Sequence, residues 1–138
     1  MARGGPMDEG VLEAARSVRP YLRELLGPEL ADAVDAELAG LLAGEASGGD
    51  VRAGLRSALE AHEATSVFLA RVLWDAPQFR PPQVVSESTR NYSALRGESL
   101  PVPADKFRCP QGDYVWYRME VGVPVPDCPT HRRALEPA

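Results

Sequence analysis

The chain has 138 residues, 44% of them hydrophobic, two cysteines and a formal net charge of −5. That length has room for one domain, or one small domain with an appendage. Residues 1–79 hold thirteen acids against seven arginines and residues 80–138 seven acids against eight bases, so the N-terminal body lacks the clustered positive charge that nucleic-acid binding needs. No apolar run approaches the length of a membrane span. The opening Met1-Ala2-Arg3-Gly4-Gly5-Pro6 has no signal-peptide core, from which a cytoplasmic location is expected.

From Asp8, a reasonable N-cap, the pattern turns helical: Val11, Leu12, Ala15, Val18, Leu22, Leu25 and Leu26 recur at three- and four-residue steps and line one face. Pro20 falls inside this run, removing a backbone donor and crowding the preceding turn, so a kink or two shorter helices are expected there. Gly27-Pro28 ends the run and opens the next, with Pro28 suited to a first helical position. The second helix is expected over about 28–43, with Leu30, Val34, Leu38, Leu41 and Leu42 buried. Its acids Glu29, Asp32, Asp35 and Glu37 read as a mostly solvated face and not as a metal cluster. Gly44 to Gly49 reads as a loop. Asp50 caps a third helix carrying Val51, Leu55, Ala58 and Leu59, in which Gly54 would let a neighbouring helix approach. A fourth helix begins at Thr65 or Ser66 and buries Phe68, Leu69, Val72 and Leu73, with Trp74 near its end. His62-Glu63 has no second histidine four residues on, so it is no metalloprotease motif.

The expected fold is therefore mainly α: a four-helix bundle over residues 8–75, then a small C-terminal β-hairpin or zinc-ribbon-like module over 107–131. Between them, residues 76–106 are rich in proline and poor in large apolar residues. They are expected to be an extended linker with Tyr92 and Leu95 as its possible anchors. Tyr114 to Arg118 reads as a strand, with Tyr114, Trp116 and Arg118 facing one way and Val115, Tyr117 and Met119 the other. Val121 to Val125 returns the chain toward Cys128, and residues 132–138 read as a frayed tail.

Each end of the module carries a Cys-Pro turn, Cys109-Pro110-Gln111-Gly112-Asp113 and Cys128-Pro129-Thr130-His131. Cys128-x-x-His131 has ordinary ligand spacing for zinc, which takes four ligands in a tetrahedron from thiolate, imidazole and less often carboxylate. Cys109 is a second thiolate. Asp113 is the candidate fourth ligand, following Gly112, whose backbone can take the positive φ of a tight return. Such a shell is closed, and so a structural Zn2+ site. Asp113 could instead cap a turn, leaving the fourth position to water or to a partner's side chain. A Cys109–Cys128 disulfide, unligated thiols and a Cys-His catalytic pair are the competing readings. The first lacks a secretory signal and the last an orienting residue.

The two ends together resemble the CATRA-associated small proteins of actinobacterial conflict systems. The likeness lies in Arg19-Pro20-Tyr21-Leu22-Arg23-Glu24-Leu25-Leu26-Gly27-Pro28, in Glu63-Ala64-Thr65, and in the Cys/His tail CPQGDYVWYR…VPDCPTH. The resemblance implies an accessory or adaptor protein that accompanies a caspase-like protease or a TPR-containing protein. No catalytic residue carries over.

The leading functional expectation is thus a non-enzymatic adaptor. Its acidic bundle would dock a larger partner, and its zinc module would present Tyr114, Trp116 and Val123, since aromatic residues supply rigid contact area. Both aromatics could equally shield the small core around the metal. Arg90 and Arg96 in the linker are candidate cleavage sites for a protease that cuts after arginine. The alternative is a small zinc-dependent hydrolase with water in place of Asp113 and Glu120 as the nearby acid.

Overall fold

The computed structural model describes residues 6–76, 78–85, 105–119 and 122–138. Among the described residues, helices and a small antiparallel sheet follow one another along the chain. They are α1 (Pro6–Val18), a 3-10 turn (Arg19–Tyr21), α2 (Leu22–Leu26), α3 (Pro28–Ala46), α4 (Arg52–Glu60) and α5 (Glu63–Trp74), then β1 (Asp105–Arg108), β2 (Val115–Arg118) and β3 (Glu136–Pro137). Among the described residues no helix is long and apolar enough to cross a membrane.

The break at Pro20 is the expected one, and the 3-10 turn is how the chain makes it: a proline that cannot donate sits in a tightened turn between α1 and α2. Gly27, at φ +86°, ends α2, and Pro28 starts α3. The other boundaries move. α1 begins at Pro6, two residues ahead of Asp8, and α3 runs through Gly44 to Ala46 before the turn at Ser47. Val51 occupies the cap position of α4, with the Asp50 carboxylate accepting from the Arg52 backbone N–H at 3.4 Å. α5 begins at Glu63, ahead of Thr65. The Thr65 hydroxyl, fully buried, donates to the Leu59 and His62 carbonyls and joins the two helices.

The bundle core is the apolar stripe of each helix: Val11, Leu12, Ala15, Val18, Leu22, Val34, Leu38, Leu42, Leu55, Leu59, Phe68, Leu69 and Val72. Each buried leucine or phenylalanine contributes about 1.5–3 kcal/mol by leaving water. Leu30 departs from the expected stripe and is 48% exposed, while its neighbour Ala31 is buried. Gly54 does permit close approach, since a Cβ there would meet Leu41 of α3 at 3.2 Å. Gly10 of α1 is tighter still. A Cβ there would lie 2.5 Å from Leu73 Cδ2 and 2.8 Å from Phe79 Cε1.

The start of the proline-rich run buries more than its composition implies. Phe79 inserts into the bundle core, Pro81 is buried, and Val84 packs against Val115 and Tyr117 of β2. Arg80 anchors this turn with two hydrogen bonds to the Asp75 carboxylate, which hold that carboxyl below its ordinary range. Tyr92 and Leu95 lie outside the described residues.

The sheet has the order β2-β1-β3, all antiparallel. β1 and β2 form a hairpin whose loop is the first Cys-Pro turn. The tail expected to fray instead closes the sheet. Asp127 bridges Ala134, Leu135 is buried, and Glu136–Pro137 pairs with Arg108 and Phe107. β3 lies at the edge, where a proline costs no ladder bond. The alternation expected along β2 holds. Tyr114 and Trp116 join the cluster around the cysteines with Phe107 and Leu135, while Val115 and Tyr117 turn to Val84.

Candidate metal centre

The two Cys-Pro turns are built alike. In the first, Gly112 N–H donates to the Cys109 carbonyl at 2.8 Å, with Gly112 at φ +82°, and Gln111 N–H points at the Cys109 sulfur at 3.4 Å. Cys109 N–H donates to the Tyr114 carbonyl at 2.9 Å and pins the turn to the hairpin. In the second turn, Arg132 N–H donates to the Cys128 carbonyl at 2.7 Å, and Cys128 N–H to the Arg133 carbonyl at 2.9 Å. Backbone hydrogen bonds thus aim the four side chains of Cys109, Asp113, Cys128 and His131 at one point.

Their donor atoms all lie within 4.8 Å of one another. His131 Nδ1 is 3.5 Å from the Cys109 sulfur, 3.7 Å from the Cys128 sulfur and 3.3 Å from Asp113 Oδ2. The Cys128 sulfur is 3.7 Å from Asp113 Oδ1. A zinc tetrahedron with ordinary bond lengths has sulfur–nitrogen and sulfur–oxygen edges of about 3.6 Å and a nitrogen–oxygen edge of about 3.4 Å. The three distances from His131 Nδ1 agree with those to within about 0.2 Å, while the contact to the Cys128 sulfur is made by the other oxygen of the Asp113 carboxylate. Both cysteines are free thiols and buried, Asp113 is buried, and the His131 side chain is about one-third exposed. Burial pushes the Cys109 thiol up, with Cys128 and Asp113 adding to the effect against the Gln111 N–H. A bound cation acts in the opposite sense on such a thiol.

Arg19, in the 3-10 turn, lies against this cluster from the bundle side. Its side chain is 1% exposed. Nε and Nη2 donate to the two Asp35 carboxylate oxygens, Nη2 also to Thr130 Oγ1 at 2.6 Å, and Nη1 to the Asp113 carbonyl at 2.7 Å. Asp113 Oδ2 is 3.7 Å from Nη1, and the Tyr114 ring lies 5.2 Å from the guanidinium carbon. Four of the five guanidinium N–H groups are thereby engaged, which a buried charge requires. Burial works against the charged form, but the Asp35 carboxylate, then Asp113 and Cys128, outweigh it and raise the Arg19 pKa. Asp35 is therefore an ion-pair partner, where the sequence pattern had it among the solvated acids.

Arg19 has company on the same face of α1. Arg16 Nε donates to the Gly112 carbonyl at 2.8 Å, and Glu13 pairs with Lys106 of β1 at 2.8 Å. The signal in the sequence is Glu13, Arg16 and Arg19 at three-residue steps beside an apolar stripe, a spacing that sets charges along one helical face. Of the aromatics expected at a recognition surface, Tyr114 is buried under Arg19, and burial pushes its hydroxyl up to about 12. Trp116 is half-buried, its ring 5.9 Å from that of Phe107. Glu120, Arg90 and Arg96 lie outside the described residues. His62 precedes α5, far in sequence from the cluster and not a member of it. Comparison with protein-family models, with curated proteins and with solved structures yields no match.

Proposed function

We propose that Cys109, Asp113, Cys128 and His131 hold one structural Zn2+, and that the protein is a non-enzymatic adaptor presenting a zinc-ribbon-like unit docked on an acidic helical bundle. The observation that carries the metal half is the convergence of four donor side chains within 4.8 Å of one another, with the three edges at His131 close to those of a zinc tetrahedron. Two thiolates with imidazole and carboxylate are a donor set that suits zinc. With four protein donors present, the shell leaves no position for a reacting water, as in structural sites. Charge agrees too: a divalent ion displacing two thiol protons leaves the net charge of the buried group unchanged. Reduced thiols fit the cytoplasmic location expected from the sequence.

Support for the adaptor half comes from the surface. Trp74 is 90% exposed, and Val67, two turns earlier on α5, is 47% exposed. A large exposed aromatic beside an exposed aliphatic is the composition of an interface anchor. The partner class, a caspase-like protease or a TPR-containing protein, rests on the family resemblance, and cleavage at Arg90 or Arg96 belongs to the same reading. The hydrolase alternative draws on one observation, the solvent-facing His131, through which a ligand could be exchanged.

Elemental analysis of protein purified without added metal tests the first half. One zinc per chain is expected, and its absence with both thiols reduced defeats the reading. For the second half, wild-type and Trp74→Ser proteins are used as bait in the native host, with loss of a protein prey expected only for the variant. A hydrolase would show Asp113→Ala retaining zinc and altering turnover of a model ester.

A further inference from the structure

Arg19, in the helical part, hydrogen-bonds both metal-binding turns at once. It meets the first at the Asp113 carbonyl and the second at Thr130 Oγ1, between Cys128 and His131. A planar guanidinium holds its donors in a rigid fork, so both contacts form together only when the two turns sit at one fixed separation. That separation is what a shared metal ion sets. Asp35 grips the other edge of the same guanidinium and fixes it to α3. The fork therefore reads the closed state of the centre from inside the bundle, while Arg16 holds the hairpin to α1 at the Gly112 carbonyl and Glu13 at Lys106.

We propose that metal occupancy and docking of the β hairpin onto α1 are one linked equilibrium, with Arg19 as the positioning residue that couples them. This rests on the reading of the cluster as a zinc centre. Anything that binds one conformation and not the other shifts the equilibrium toward it, and the contact that distinguishes the two is reciprocal: zinc tightens docking, and Arg19 tightens zinc. Groups that orient metal ligands typically change affinity by about 10- to 100-fold when removed. A chelator would thus act on the surface of the bundle as well as on the centre itself, making the docked face available only in the metal-free protein.

The test uses the full chain, stripped with chelator and titrated with zinc chloride alone, in wild type, Thr130→Val and Arg19→Lys. Thr130 is exposed, so its valine variant removes only the second-turn acceptor. Affinity is read by competition with a chromophoric chelator, and docking by hydrogen exchange in peptides spanning α1 and the 3-10 turn. Zinc is expected to slow exchange in those helical peptides of the wild type, not only in residues 105–138. Thr130→Val should lose about 10-fold and Arg19→Lys up to about 100-fold in zinc affinity. The helical peptides of Thr130→Val should exchange as in wild type without zinc and faster than wild type with it. Zinc protection confined to the hairpin, or wild-type affinity in both variants, overturns the coupling and leaves the metal centre standing. A wild-type chain that takes up no zinc overturns the centre and the coupling together.

Discussion

Asp113→Asn is the substitution on which the candidate centre is most exposed to test. It keeps the volume of the side chain and removes its charge at a buried position. In the metal-free protein little should change. The Arg19 hydrogen bond goes to the Asp113 backbone carbonyl, which asparagine retains; the amide oxygen can still accept from the Cys128 thiol, and what is lost is an ion-pair contact at 3.7 Å, longer than a hydrogen bond. Asp35 continues to neutralise the guanidinium. An apo stability within about 1 kcal/mol of wild type is therefore expected. In the metal-loaded protein the variant lacks one of four anionic or imidazole donors. Removing a supporting group already costs 10- to 100-fold, so loss of a direct ligand should cost about 100-fold or more, roughly 2.7 kcal/mol. The assay pairs zinc competition with urea denaturation of apo and loaded forms. Wild-type zinc affinity in Asp113→Asn would refute the assignment of this carboxylate, and a large apo destabilisation would refute the account of Arg19.

Three further outcomes follow from packing and ionisation. Leu38→Ala, at a fully buried site of α3, should cost about 3 kcal/mol, whereas Leu30→Ala at the exposed start of the same helix should cost under about 1 kcal/mol; equal midpoints in urea would contradict the core described above. Gly10→Ala should destabilise by about 1 kcal/mol net, because overlap with Leu73 and Phe79 exceeds the roughly 1 kcal/mol gained in helix propensity. Burial pushes Tyr21 and Tyr114 up to about 12 and Tyr117 higher still. Their contribution is present in full below the unfolded value near 10. It falls as pH rises from there through the folded values, since the unfolded chain releases protons that the folded chain retains. Tyrosinate absorbance should therefore rise together with loss of helical dichroism; tyrosines titrating near pH 10 in a folded protein would contradict their burial.

Local signals were the readable ones. The leucine stripes, the break at Pro20, the Gly27-Pro28 boundary and the alternation along β2 each depend on residues within a few positions of one another. So do the two Cys-Pro turns, which is why the donors could be named from spacing. The remaining features depend on distant partners. Asp105–Arg108 has little strand character of its own and becomes β1 through pairing with β2, and Glu136–Pro137 becomes β3 only by lying beside β1. Phe79 is a lone aromatic among prolines and gains its place from a gap beside Gly10. Asp35 has the pattern of one more surface acid, and only the Arg19 guanidinium folded against it makes it an ion-pair partner.

Arg19 also sets an order of events during synthesis. Its contacts at Asp113 and Thr130 lie 94 and 111 residues further along the chain, while Asp35 is only 16 away. On a ribosome adding about 5–20 residues per second, the helices can assemble around an Arg19–Asp35 pair several seconds before the sulfurs emerge. During that interval two of the four N–H groups engaged in the folded protein still lack their partners. The arriving turns then meet a template that is already in place.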